Sequence, residues 1–82
     1  MTWFEMEQIE RYLDWLETQL DQWQLGRFQM RMQKAELASA LHKAEIAANN
    51  DTSNSVLREY LLELQQRSHQ CSRQIDERLR LR

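Results

Sequence analysis

Across its 82 residues the chain contains no proline and a single glycine, Gly26. Proline removes a backbone donor and clashes with the preceding turn, and glycine gives up the most conformational freedom in a helix. A chain nearly free of both has little to stop a helix once it starts. Leu, Gln, Glu, Arg, Ala and Met are abundant, and all favour helix. The expected class is therefore all-α, a single helical domain over residues 1–82.

The periodicity divides that domain. Thr2 followed by Glu5 has capping-box spacing, so a helix is expected to start almost at once. From Ile9 an apolar stripe runs through Leu13, Leu16, Leu20 and Trp23 at alternating four- and three-residue intervals, which places these side chains on one helical face. The same register continues through Arg27, Met30, Lys34, Leu37, Leu41, Ala44 and Ala48. Arg27 and Lys34 are expected to lay their aliphatic stems along the apolar face. The run Asn49-Asn50-Asp51-Thr52-Ser53-Asn54-Ser55 ends the pattern, because short polar side chains compete for backbone hydrogen bonds and favour turns. Thr52, Ser53 or Ser55 is the expected cap of the helix that follows, whose stripe is Leu57, Leu61, Leu64, Ser68, Cys71 and Ile75, with Leu79 near the same face.

These features predict an antiparallel helical hairpin: a long helix over 3–48, a polar turn at 49–55 and a shorter helix over 56–80. At about 1.5 Å per residue the two helices measure about 69 and 39 Å, so the second reaches only to the region of residue 25. Segment 1–25 is left without a partner in its own chain, although it holds Trp3, Trp15 and Trp23, every tryptophan present. Three arrangements would cover it: a break near Gly26 giving a three-helix bundle, a second copy giving a dimer, or a different protein receiving the arm.

Charge is uneven. Residues 1–25 carry six acids against Arg11, whereas Arg73, Arg78, Arg80 and Arg82 make the other end basic. Such polarity can orient a partner or a second copy. No apolar run approaches the roughly 18 residues of a membrane span, and a lone Cys71 cannot form an intrachain disulfide. A cytoplasmic protein without a membrane span is expected.

Chemistry-bearing residues are sparse. His42 and His69 fall in no metal-ligand spacing, and Cys71 lies two residues from His69, which points the two apart on a helix. No glycine-rich phosphate loop is present. The chain is read as non-enzymatic, without metal, cofactor or small-molecule substrate. The expected protein interface is the face and flanks of the N-terminal helix: Trp3, Phe4, Ile9, Tyr12, Leu13, Trp15, Leu16, Leu20 and Trp23. Met30 and Met32 are additional adaptable contacts. Nucleic-acid contact through Arg73, Arg78, Arg80 and Arg82 is the less favoured alternative, since the aromatics are not interleaved with these bases.

Over residues 30–79, the helix, Asn-rich turn and helix resemble the small hairpin co-chaperones of type III secretion systems, the YscE/SsaE-like proteins. The resemblance is carried by Leu37, Leu41, Ala44, Asn49, Asn50, Leu57, Leu61 and Leu64. It is a likeness of size and patterning, and the aromatic arm 1–25 departs from it. It implies a protein that helps a larger, tetratricopeptide-like chaperone hold an aggregation-prone needle subunit. The reading drawn from the residues is an interaction module, as an assembly factor or co-chaperone, with a homodimeric structural protein or small regulator as the alternative.

Overall fold

A computed structural model describes residues 2–50 and 53–81, and among these it contains three helices and no strand. They are α1 (Thr2–Asp21), α2 (Arg27–Asn49) and α3 (Ser55–Arg80). The unbroken helix expected over 3–48 is corrected: it ends at Asp21 and restarts at Arg27. The side chain of Thr2, from the expected capping box, and Thr52, one of the expected caps, lie outside the described residues.

The break is a helix-ending turn built around Trp23. Its amide donates to the Leu20 carbonyl at 3.2 Å, and the Gln24 amide donates to the Gln19 carbonyl at 3.0 Å. These two bonds close a Schellman motif, which puts the intervening residue in the left-handed region. Glycine normally fills that place, yet here it is Trp23, with φ 55°. An L side chain in that conformation costs about 1–2 kcal/mol. Gly26, which the sequence suggested as the point of reversal, has φ -75° and ψ 171° and serves instead as the N-cap of α2. Its amide donates to Gln29 Oε1 at 3.0 Å, the returning half of a capping box; glycine has no side chain to supply the other half.

After this turn α2 runs back along α1. The Tyr12 hydroxyl donates to the Gln33 carbonyl at 3.1 Å and also meets Gln33 Oε1. α3 then runs alongside α1 in the same direction: Trp3 meets Tyr60 with ring centroids 5.6 Å apart, Arg67 reaches Asp14 and Glu17, and Arg78 covers Trp23. Each helix thus packs on both others in an elongated body of 47 × 17 × 16 Å.

The core is the stripe read from sequence, closed on itself. α1 contributes Met6, Ile9, Leu13, Leu16 and Leu20; α2 contributes Met30, Leu37, Ala44 and Ala48; α3 contributes Leu57, Leu64, Cys71 and Ile75. Each fully buried large apolar side chain is worth roughly 1.5–3 kcal/mol, which is what holds α1 down. Arg27 and Lys34, at core-register positions on α2, turn aside to α3. Lys34 Nζ pairs with Asp76 at 2.6 Å, and the Arg27 guanidinium donates to the Leu79 and Leu81 carbonyls, satisfying acceptors that the end of α3 leaves open. The cap of α3 is Asn54, whose Oδ1 accepts from the Leu57 amide at 3.1 Å, in place of the serines or threonine expected from sequence.

Ser68 is the exception in the core: its hydroxyl is buried without a hydrogen-bond partner. Replacing it by alanine removes that penalty and improves helix propensity, so Ser68→Ala is expected to raise the free energy of unfolding by about 1 kcal/mol. A urea titration followed by circular dichroism measures this directly. The same titration tests the turn. At position 23, glycine should be more stable than alanine by about 1 kcal/mol, the reverse of the order inside a helix; equal midpoints for Trp23→Gly and Trp23→Ala would show that the left-handed turn is absent.

Candidate protein-interaction surface

A helix in this arrangement has a core face, two flanks and an outer face, and the three outer faces differ. That of α3 carries Arg58, Glu59, Glu63, Gln66, His69, Gln70, Arg73, Glu77 and Arg80, with Val56 and Leu62 as its exposed large apolar side chains. The outer faces of α1 and α2 are less polar.

On α1, Phe4 is 60% exposed and Trp15 is 44% exposed. Residues 4, 8, 12 and 15 follow a helical row, so Phe4, Gln8, Tyr12 and Trp15 lie along one side of the helix. The Tyr12 and Trp15 rings stack with centroids 6.1 Å apart. This row borders a groove between α1 and α2. One part, with a volume of about 220 Å³, is lined by Phe4, Glu5, Gln8, Ile9, Ala40, Lys43 and Ala44. The adjoining part shares Gln8, Ile9 and Ala40 and adds Tyr12 and Glu36. The floor is apolar because α2 offers alanine there. Burial, then the Glu36 carboxylate, pushes the Tyr12 phenol up to about 12, so it stays a neutral donor to Gln33.

The nine expected interface residues therefore divide. Trp3, Phe4 and Trp15 are exposed, and Tyr12 is half-buried at the groove. Trp23 is exposed at the turn, with the Arg78 guanidinium 3.8 Å from its ring centroid, a cation–π contact. Leu13, Leu16 and Leu20 are fully buried in the chain's own core, so their assignment to an intermolecular interface is corrected: the break at 22–26 brings α2 and α3 over them; Ile9 is buried in the same core but still lines the groove. Met30 is buried as well.

The arginines do not converge. Arg78 is engaged with Trp23, Arg73 lies in a shallow polar depression with Gln66, His69 and Gln70, and Arg80 is exposed; Arg82 lies outside the described residues. Arg67 is the most engaged cation. It meets Asp14 and Glu17 at 2.6 Å each, with a second contact to Glu17 at 3.2 Å, and the Glu17 hydrogen bonds hold its guanidinium well above its ordinary range. The open depression beside it, lined by Asp14, Glu17, Thr18, Asp21 and Gln74, is acidic, but two of its carboxylates already serve Arg67.

His42 and His69 are exposed on different helices. Among the described residues, no three His, Cys, Asp or Glu side chains gather where a metal could be held. No helix there is long and apolar enough to cross a membrane.

Of the outer face of α2, sequence reading singled out Met32 alone. Phe28 is 71% exposed, Met32 49% and Ile46 50%. With Ala35, Ser39 and His42, all exposed, they form a second row at alternating four- and three-residue intervals, opposite the core row. The signal was present in the spacing, but the continuing core stripe claimed the same helix. Comparison of the chain with family models, with curated proteins and with solved structures finds no match.

Cys71 is a core thiol. Burial, then the Glu17 carboxylate, raises its pKa from 9.0 to about 11. At pH 8 this lowers the thiolate fraction by about a hundredfold. Alkylation by iodoacetamide at pH 8 should thus be at least about a hundredfold slower than that of free cysteine, and recover in denaturing urea. The unfolded chain loses its thiol proton near 9 and the folded chain near 11, so this contribution to stability is complete below pH 9 and fades as pH rises through about 11.

Proposed function

We propose that the chain is a non-enzymatic interaction module whose three helices act as one bundle and whose α1–α2 groove receives a helical segment of another protein. The observation that carries this reading is the exposure of Phe4 on a groove floored by Ile9, Ala40 and Ala44, with the exposed Trp15 stacked on Tyr12 at the groove's other end. Large aromatics beside a shallow apolar trough are what an amphipathic helix needs for anchoring. From Phe4 to Trp15 the row is about 17 Å long, enough for about three turns of a partner helix. Glu5 and Glu36 border the groove, with Lys43 on the opposite side from Glu5, and the rest of α1 is strongly acidic. The partner segment is accordingly one with apolar anchors and basic flanks.

An assembly-factor or co-chaperone role is the biological form of this reading. The resemblance of residues 30–79 to type III secretion co-chaperones would make the partner a tetratricopeptide-like chaperone, whose helical repeats present suitable segments.

Photo-crosslinking amino acids placed singly at positions 4, 15, 66 and 73 test the reading in the source cell. Positions 4 and 15 should give one discrete adduct with a different protein, and positions 66 and 73, on the outer face of α3, none. With that partner purified, Trp15→Ala should weaken binding by about thirtyfold, the loss of a typical aromatic anchor. Adducts of equal yield at all four positions, or adducts only with the chain itself, would overturn the reading.

A further inference from the structure

The outer row of α2 has a property that an arbitrary apolar patch lacks: it is symmetric about its own midpoint. Phe28 and Ile46 lie equally far from the level of Leu37, as do Met32 and His42, and Ala35 and Ser39. Large side chains stand at both ends and small ones in the middle. From this we infer that the outer face of α2 is a two-fold homodimer interface in which α2 packs antiparallel on α2 of a second copy, and the inference stands independently of the α1 groove.

An isologous contact requires a surface that complements itself when reversed. In this row reversal sets Phe28 against Ile46, Met32 against His42, and Ala35 against Ser39 at the dyad. Small residues at the crossing let two helices approach closely, while the larger ends close around it. The four-three alternation is the spacing of a coiled-coil seam, and in an antiparallel pair each layer joins the two seam positions, as all three of these pairs do.

Charge complements the antiparallel arrangement. Arg31 and Glu45 precede Met32 and Ile46 and lie on one edge of the row; among the described residues no ion pair engages either. In an antiparallel pair that edge meets itself, so Arg31 of each copy faces Glu45 of the other, and Ala38 lies between the two bridges. In a parallel pair opposite edges meet, so Arg31 would face Glu36 of the other copy and Glu45 would take no part in the bridge. On the other edge of the antiparallel pair Gln29 faces Lys43. Glu36 falls near the dyad but lines the α1 groove, beside Tyr12. The outer face of α3, with its dense mixed charge, offers no such row.

The full chain is tested by sedimentation equilibrium over a dilution series from high to low micromolar. The wild type should show a monomer–dimer equilibrium. Ser39→Glu introduces a charge at the crossing of both copies while supporting the helix through Lys43 one turn on, and should leave a monomer of unchanged helicity. Arg31→Glu and Glu45→Arg should each weaken the dimer about three- to tenfold, because each breaks two exposed ion pairs. Their combination restores opposite charges and should recover the wild-type constant. A wild type that stays monomeric throughout overturns the inference, as does a dimer that survives Ser39→Glu. Failure of the double exchange to recover overturns the antiparallel register. None of these results bears on the heterologous adducts expected from positions 4 and 15.

Discussion

Every contact of α1 depends on the reversal between Asp21 and Arg27. Without it, Met6, Ile9, Leu13, Leu16 and Leu20 would stand on a free arm; with it, all five are buried. The turn places an unfavourable residue, Trp23, in the left-handed conformation, at a cost of about 1–2 kcal/mol. Burying the five side chains of α1 returns several times that amount. Tertiary packing thus outweighs local preference. Arg78 over the Trp23 ring secures the turn from the α3 side.

The ion pairs act as register marks. Lys34–Asp76 joins α2 to α3, and Arg67 joins α3 to α1 through Asp14 and Glu17. All are partly exposed, where such pairs contribute little net stability. Their value lies in selection. A helix sliding by one turn keeps most of its apolar contacts but separates these charges, so charge discriminates among packings that apolar burial leaves nearly equal. Arg67 also explains part of the acidity of α1, since Asp14 and Glu17 are in use within the chain.

How far the sequence disclosed this arrangement follows from what each signal measures. Helical class was plain from the lack of proline, and the core row from Ile9 to Ile75 was readable as periodicity, although the partners that Arg27 and Lys34 find on α3 were not. The reversal was hidden because its left-handed position carries tryptophan, while the only glycine, three residues on, takes an extended conformation that any residue can adopt. An unbroken register across 22–26 pointed to an unbroken helix. In fact the register resumes because both helices address the same core. Phe4 and Trp15, singled out from the sequence, stand exposed at the surface, whereas Leu13, Leu16 and Leu20 were assigned outward for want of the turn that covers them.

α2 is the helix for which a single-stripe reading is least adequate. A helix with one apolar face is satisfied by one neighbour or one core; α2 has a row towards the core and another directly opposite it. Two opposed rows cancel in any measure of amphipathicity, so the helix looks merely mixed in composition. The core side explains Met30, Leu37, Ala44 and Ala48, all buried between α1 and α3. Phe28, Met32 and Ile46 contribute nothing to that core, and leaving them in water carries no benefit to an isolated chain. The alanines of α2 fit the same view. Ala40 and Ala44 thin the helix on the α1 side and create the groove, while Ala35 and Ala38 thin it on the outer side. A helix made narrow in two directions and anchored by bulky residues at its ends is suited to lie between neighbours, with one set supplied by its own chain and the other from outside.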